Sequence, residues 1–400
     1  MRACLLVLCL LTVTTAAAAQ SAEGEKFDPA VVLKQLQSPD REIRKTALWA
    51  IDSHRKESHG LIDALVAALK HPDLPTRYLA AYVLTSVDPG KAAPALPILK
   101  DMLRSDVEMN GSSPRMLGPS GLGRLGRAGA DALVEALADP VAETQIAAAH
   151  GLMDSDVFPE AAVPAMLKAS RGPDADARHQ VLMALLWRRP PAERMIPPLL
   201  DFLIDPEPKV RAEAATGLGS YRRDAIRALE ALKQTTKDED ERTAITAASA
   251  IALIDAEAGL EYLPLFIKEL MRPDKERFSE TFDGDLRLYS VAAALAALGP
   301  AAGRAQPALK RAFEKENGFA KLDLGIALAF VDPGSAGPVV AFLMKDLEQS
   351  HEHWVYATLV RIPELGKLAA DAAPAVERFT KSSDPMIRDA ATKALAAIKR

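Results

Sequence analysis

Gly121-Leu-Gly-Arg-Leu-Gly126 spells Gly-x-Gly-x-x-Gly, the spacing that lets a tight turn and a helix N-terminus meet a pyrophosphate. That chemistry needs a strand before the turn and a crossover unit around it. Here residues of helical period flank the motif on both sides. Gly118, Gly121, Gly123, Gly126 and Gly129 therefore read as points where helices approach closely. Each costs up to about 1 kcal/mol relative to alanine inside a helix. This stretch is expected to be the weakest helix and the flexible point of the chain.

Other candidate chemistry is sparse. Of seven histidines, only His351 and His353, on either side of Glu352, lie close in sequence. Residues two apart on a helix point to different sides and chelate poorly, so no metal site is expected. No serine sits in a nucleophile elbow. Most carboxylates fall at turns, where helix capping accounts for them. The residues assemble no catalytic constellation and no cofactor site, and the chain reads as a non-enzyme.

Those residues sit on a repeated element. Asp205-Pro-Glu-Pro-Lys-Val-Arg-Ala-Glu-Ala-Ala-Thr-Gly-Leu-Gly219 is a proline-bearing turn leading into a helix of small and apolar residues. Similar units begin near Pro29, Leu61, Pro94, Asp131, Val163, Met195, Ile226, Leu263, Pro307, Val339 and Pro374. Most spacings are about 31 to 37 residues, the range of helical repeat arrays. Each unit reads helix A, a turn, helix B and a short link. At the start of helix B an acid precedes an arginine by four residues: Asp40 and Arg44, Asp73 and Arg77, Asp174 and Arg178, Glu207 and Arg211, Asp384 and Arg388. Asp238 with Arg242 and Asp283 with Arg287 continue the series. At that spacing an acid at the positive end of the helix dipole pairs with a cation one turn on, so a ladder of such pairs within the units is expected. In the fourth unit both partners change, to Val141 and Gln145.

The pattern Asp384-Pro-x-x-Arg388 followed by Ala390-Ala-x-x-Ala-Leu395 resembles HEAT repeats, and more specifically the HEAT-like repeats of the phycobilisome-lyase type. The link Leu298-Gly-Pro-Ala-Ala-Gly-Arg-Ala-Gln-Pro-Ala-Leu309 strengthens the likeness. The resemblance implies an all-α, right-handed α-solenoid of about eleven helical hairpins over residues 29–400. It also implies an interaction scaffold, with a lyase or lyase-accessory role as the alternative. Di-iron hydroxylases on such repeats use several His-Glu pairs, whereas this chain has only His351-Glu352.

Counted from the first arginine of helix B, positions +3, +4 and +7 face the core. Position +5 is expected to look outward, onto the concave face if the family geometry holds. It carries Trp49, Tyr82, His150 and Met183, with Tyr78 added at +1 of the second unit. From the sixth unit it carries Thr216, Ala247, Ala292 and Lys393. An aromatic stripe of this kind suits a protein or peptide partner, because aromatics dominate binding hot spots. Filling of gaps between alanine-rich helices is the other reading the pattern allows. Trp187-Arg-Arg-Pro-Pro191 reads as indole packing at a link. Two turns are long, 105–114 and 272–285, and insertions on repeat arrays often carry binding.

Composition agrees with a repeat array: apolar residues make up 49% but aromatics only 5%, so close approach of small side chains must build the core. The net charge of −5 argues against nucleic acid as partner. Arg2, an apolar run from Cys4 to Val13 and Ala17-Ala-Ala19 read as a signal peptide over residues 1–19, followed by a short polar lead over 20–28. Both cysteines lie in that leader. The expectation is an exported, periplasmic or secreted bacterial protein that is not integral to the membrane.

Overall fold

The computed structural model describes residues 27–109, 112–272, 283–349 and 352–399. The leader with Cys4 and Cys9, Asn110 and Gly111, Phe278 and Phe282, and His351 lie outside the described residues. The described residues contain helices, turns and no strand. The chain is an all-α solenoid, and it falls into two compact units, the first ending at Pro191 and the second beginning at Ala192.

The first unit stacks five helical hairpins. They are α1 (Pro29–Leu36) with α2 (Arg41–Ser53), α3 (Ile62–Ala68) with α4 (Leu74–Val87), and α5 (Leu96–Met102) with α6 (Pro114–Arg124). α7 (Gly126–Ala136) with α8 (Ala142–Asp154) and α9 (Ala162–Ala169) with α10 (Ala175–Trp187) complete it. The second unit has six among its described residues. α11 (Ala192–Phe202) pairs with α12 (Pro208–Ser220), α13 (Leu229–Thr235) with α14 (Glu241–Ile254), and α15 (Leu263–Leu270) with α16 (Asp283–Leu298). α17 (Gln306–Lys315) pairs with α18 (Gly318–Val331), α19 (Ala336–Gln349) with α20 (Glu352–Leu365), and α21 (Ala373–Phe379) with α22 (Pro385–Lys399). Within each unit the even-numbered helices pack side by side as one continuous layer, and each odd-numbered helix lies against its own partner. Alanines such as Ala47, Ala80, Ala81, Ala148 and Ala248 are wholly buried there, which is why helix axes can run close.

Where an acid and an arginine open an even-numbered helix, they do separate jobs, a correction to the expected ladder within units. Asp40, Asp73, Asp174 and Asp384 are N-caps whose carboxylates accept backbone amides of the first turn. The arginine four residues on leans back toward the helix N-terminus, as helical side chains do, and reaches the turn instead of the acid. Arg44 Nη1 donates to the carbonyls of Ser38 and Pro39, both at 2.8 Å. Arg77, Arg178, Arg211 and Arg388 repeat the contact at the same two offsets. In the fourth hairpin Gln145 Nε2 donates to the Asp139 carbonyl at 2.7 Å, and in the ninth Lys321 Nζ reaches the Glu316 carbonyl at 3.2 Å. The conserved geometry is thus a clamp on the turn, which explains how an uncharged glutamine can stand in.

The acid–arginine pairs that do form join one hairpin to the next. Arg211 grips Asp238 with two parallel bonds of 2.7 Å, and Arg44 Nη2 lies 3.3 Å from Asp73 Oδ2. Arg104 Nε meets Asp139 at 2.6 Å. Burial works to raise the Asp73 carboxyl, but bonds from Thr76 and Arg41 outweigh it and hold the pKa at about 2.

The glycine-rich stretch lies in α6, ends at its C-terminus and opens α7. α6 is interrupted by Pro119 and lacks a side-chain N-cap bond. Gly126 takes φ +59°, a left-handed turn that suits glycine, while Gly129 lies so close to α6 that a Cβ there would stand 1.9 Å from the Leu122 carbonyl oxygen. Helix on both sides leaves no phosphate-binding turn.

Gly129→Ala should therefore cost about 2–3 kcal/mol in urea unfolding, whereas Gly60→Ala, with nothing within 4 Å of the new methyl, should be neutral or slightly stabilising. Equal effects would contradict the close approach. Because the Asp73 pKa is lowered from 3.8 to about 2, its stabilisation is complete above the unfolded value and is lost as pH falls through the folded one. After allowance for solvent screening this amounts to about 1–2 kcal/mol. Acid titration of unfolding free energy should show that loss between those pH values in the wild type and a flatter limb in Asp73→Asn.

Candidate functional site

The residues of the proposed stripe lie along the seam between neighbouring even-numbered helices. Trp49 on α2 is half-buried and meets Tyr82 of α4 edge-on, ring centroids 6.0 Å apart. Tyr82, 7% exposed, carries the Arg124 guanidinium of α6 over its other face at 4.8 Å. His150 Nε2 lies 3.3 Å from Gln180 Oε1 on α10, and burial lowers its pKa against the opposing effect of that bond. Met183 is half-buried. Ala247 and Ala292 are buried, while Lys393 on α22 is 71% exposed.

The expectation of an outward-facing row is therefore corrected. A residue at +5 is covered on one side by the next hairpin, so it bridges helices and is only partly available to a partner. Tyr82 is a packing residue. Tyr78 is deeper still, 2% exposed, with its hydroxyl donating to Asp101 Oδ2 at 2.5 Å. Trp187 belongs to a link organised by its neighbour: Arg188 Nη1 donates to the carbonyls of Met153 and Ser155, and its guanidinium lies 4.7 Å from the Phe158 ring centroid. In the second unit Trp354 stacks on Phe319 with centroids 4.3 Å apart.

Trp49 differs from the rest of the row because the long turn of the third hairpin folds back beside it. An Arg115–Asp106 ion pair of 3.0 Å anchors that turn, and Met109 is buried by it, 7% exposed. Between the turn and the facing sides of α2 and α4 lies a shallow open cleft. Leu48, Trp49, Pro75, Leu79 and Met109 supply its apolar lining, and Arg41, Glu42, Lys45 and Glu108 its charges. Arg41 Nε bonds Asp73 Oδ1 at 2.9 Å and Lys45 lies 3.4 Å from Glu42, so three of the four are drawn into pairs. Trp49 and the 105–114 turn were each visible in the sequence, but nothing there placed them together. Pro75, Leu79 and Glu108 carried no signal at all.

The lining is mostly apolar, with its charged side chains at the margin. Among the described residues, no three His, Cys, Asp or Glu side chains are grouped to hold a metal ion. No described helix is long and apolar enough to cross a membrane.

Residues 29–109 and 196–267 match the family model described as HEAT repeats. The chain carries HEAT repeats. Its first matched segment contains Trp49 and most of the cleft lining. Solved importin-β structures share the fold of these HEAT repeats. Yeast importin-β superposes with a TM-score of 0.54 at 14% identity, over 92% of this chain and 56% of that one. A second importin-β crystal structure gives 0.50 at 13% identity, over 92% and 59%. The chain thus spans little more than half the length of these structures, and at such identity the likeness is one of fold. No curated protein matches the chain by sequence.

Tyr82→Ala should lower the urea unfolding free energy by about 3 kcal/mol, and Trp49→Ala by less, about 2 kcal/mol, since part of the indole is already in contact with water. The reverse order would place Trp49 in the core and Tyr82 at the surface.

Proposed function

We propose that this chain is an interaction scaffold that holds a protein or peptide partner in the cleft at Trp49. The observation that carries this reading is the apolar floor of Leu48, Trp49, Pro75, Leu79 and Met109, built by two adjacent HEAT repeats and the long turn of a third. A half-exposed tryptophan against such a floor is the kind of anchor that dominates binding energy. The importin-β fold supports the reading as a precedent for a HEAT-repeat chain without chemistry of its own, an analogy of fold only. The leader-like residues 1–19 favour an exported chain in a bacterial cell envelope. Within the row first read from sequence, Trp49 is the binding residue, with His150 and Met183 as secondary contacts further along the same layer.

The test is capture from the source organism's envelope extract with the full chain as bait, followed by binary affinity measurement on the recovered partner. The expected result is a partner whose affinity falls about tenfold or more with Trp49→Ala, in a variant that stays folded at the assay temperature. Equal recovery with Trp49→Ala, or no partner at all, overturns the reading.

A further inference from the structure

The recess beside Trp49 is filled by the chain itself. Met109 is buried although it stands in a turn and not in a helix. It shares the recess with Leu48 and Leu79, both buried, and with the half-buried Trp49. The space left over is about the size of one water molecule. Closing the hairpin does not require this arrangement. In the second hairpin residues 69–73 suffice to join α3 to α4, whereas residues 103–113 join α5 to α6. The surplus carries Met109 back onto the two preceding hairpins.

Little holds that segment down. The Asp106 side chain, 81% exposed, reaches Arg115 at 3.0 Å, a surface pair that salt screens. The Val107 amide donates to the Ser105 hydroxyl at 3.3 Å, a bond within the turn. Among the described residues, no backbone–backbone bond is made from residues 106–109. The remaining hold is apolar, chiefly the Met109 side chain. A segment tethered in this way belongs to the low-stability end of a fold and opens without the helices beneath it.

We propose that residues 106–109 form an autoinhibitory strap: Met109 occupies the place of the partner's anchoring side chain and swings out when the partner binds. This rests on the scaffold reading and adds two things to it. The partner's anchor is an apolar side chain of about methionine's size, because it takes the place that Met109 fills. Methionine suits a displaceable plug, since its unbranched thioether adapts to irregular gaps. The affinity of the resting chain is reduced by the fraction of molecules with the strap open, so whatever loosens the strap tightens binding.

Two measurements on the full chain test this. In the first, the native protein is treated with dilute hydrogen peroxide, and sulfoxide at each methionine is followed by peptide mass mapping, since a thioether reacts where solvent reaches it. Met109 should oxidise about tenfold or more faster than Met102, which is wholly buried in the helix before the turn, and more slowly than the exposed Met386. Asp106→Ala removes the exposed end of the ion pair. It should speed oxidation of Met109 about two- to fivefold and leave Met102 unchanged. Equal rates at Met109 and Met102, or a Met109 rate that Asp106→Ala does not change, overturn the strap. In the second, the partner recovered with the full-chain bait is titrated against wild type, Asp106→Ala and Met109→Ala by calorimetry. Asp106→Ala should bind tighter by the same factor found for oxidation, because both report the open fraction, and Met109→Ala tighter still. Asp106→Ala, altered only at an exposed side chain, decides the matter alone if Met109→Ala does not fold. Unchanged affinity in Asp106→Ala, with Met109 oxidising faster, overturns the strap and leaves the scaffold reading intact. No partner, or one that binds Trp49→Ala as well as wild type, removes the scaffold reading and the strap with it.

Discussion

The guanidinium at the fourth position of five of the second helices is the contact on which their hairpins depend. A helix–turn–helix leaves carbonyls of the first helix and the turn without intrahelical donors. Arg44, Arg77, Arg178, Arg211 and Arg388 satisfy two of them each. A planar fork does this well because several donors leave it in fixed directions. Arg44 and Arg211 have donors to spare, and these reach the cap aspartate or turn acid of the following hairpin. One side chain thereby closes its own turn and sets the register of the next repeat. Gln145 keeps the first role, and Arg104 ties the third hairpin to the fourth through Asp139.

The layer of second helices follows from this register. With the turns held, small residues on facing sides let neighbouring helices approach, and the side chains left at the margins of each contact touch across the seam. Trp49 reaches Tyr82, Tyr82 reaches Arg124, and His150 reaches Gln180. Such a seam would ordinarily offer a partner little more than side-chain edges. The third hairpin changes this locally. Its longer turn stands beside the seam and makes a wall, so that Trp49 acquires a recess with three sides. A feature tolerable as a surface insertion becomes, by position, the device that turns a packing seam into a cleft.

The arrangement bears on function through what the cleft contains. Its apolar residues come from rigid helices and its charges lie at the margin, most of them already paired with neighbours. A repeat fold shared by unrelated activities does not choose among them, so the weight falls on this local geometry.

How much of this was legible beforehand depends on the range of the interaction. Helical period, proline-bearing turns and the recurring Asp-Pro-x-x-Arg pattern are local, and they were enough to determine an all-α array of hairpins with nearly the boundaries observed. The glycine motif at Gly121 to Gly126 could likewise be dismissed from its helical neighbours alone. The partners of the arginines could not be read, because carbonyls five and six residues back compete with a carboxylate four back, and only the direction of the side chain decides. Nor could the fate of the aromatic row. Whether position +5 faces water depends on how far the following hairpin overlaps it, which is why Tyr82 is buried and Trp49 only partly so. The cleft joins Trp49 to Met109 across some sixty residues of chain, a contact that no local pattern encodes and that exists only because three successive hairpins stack in register.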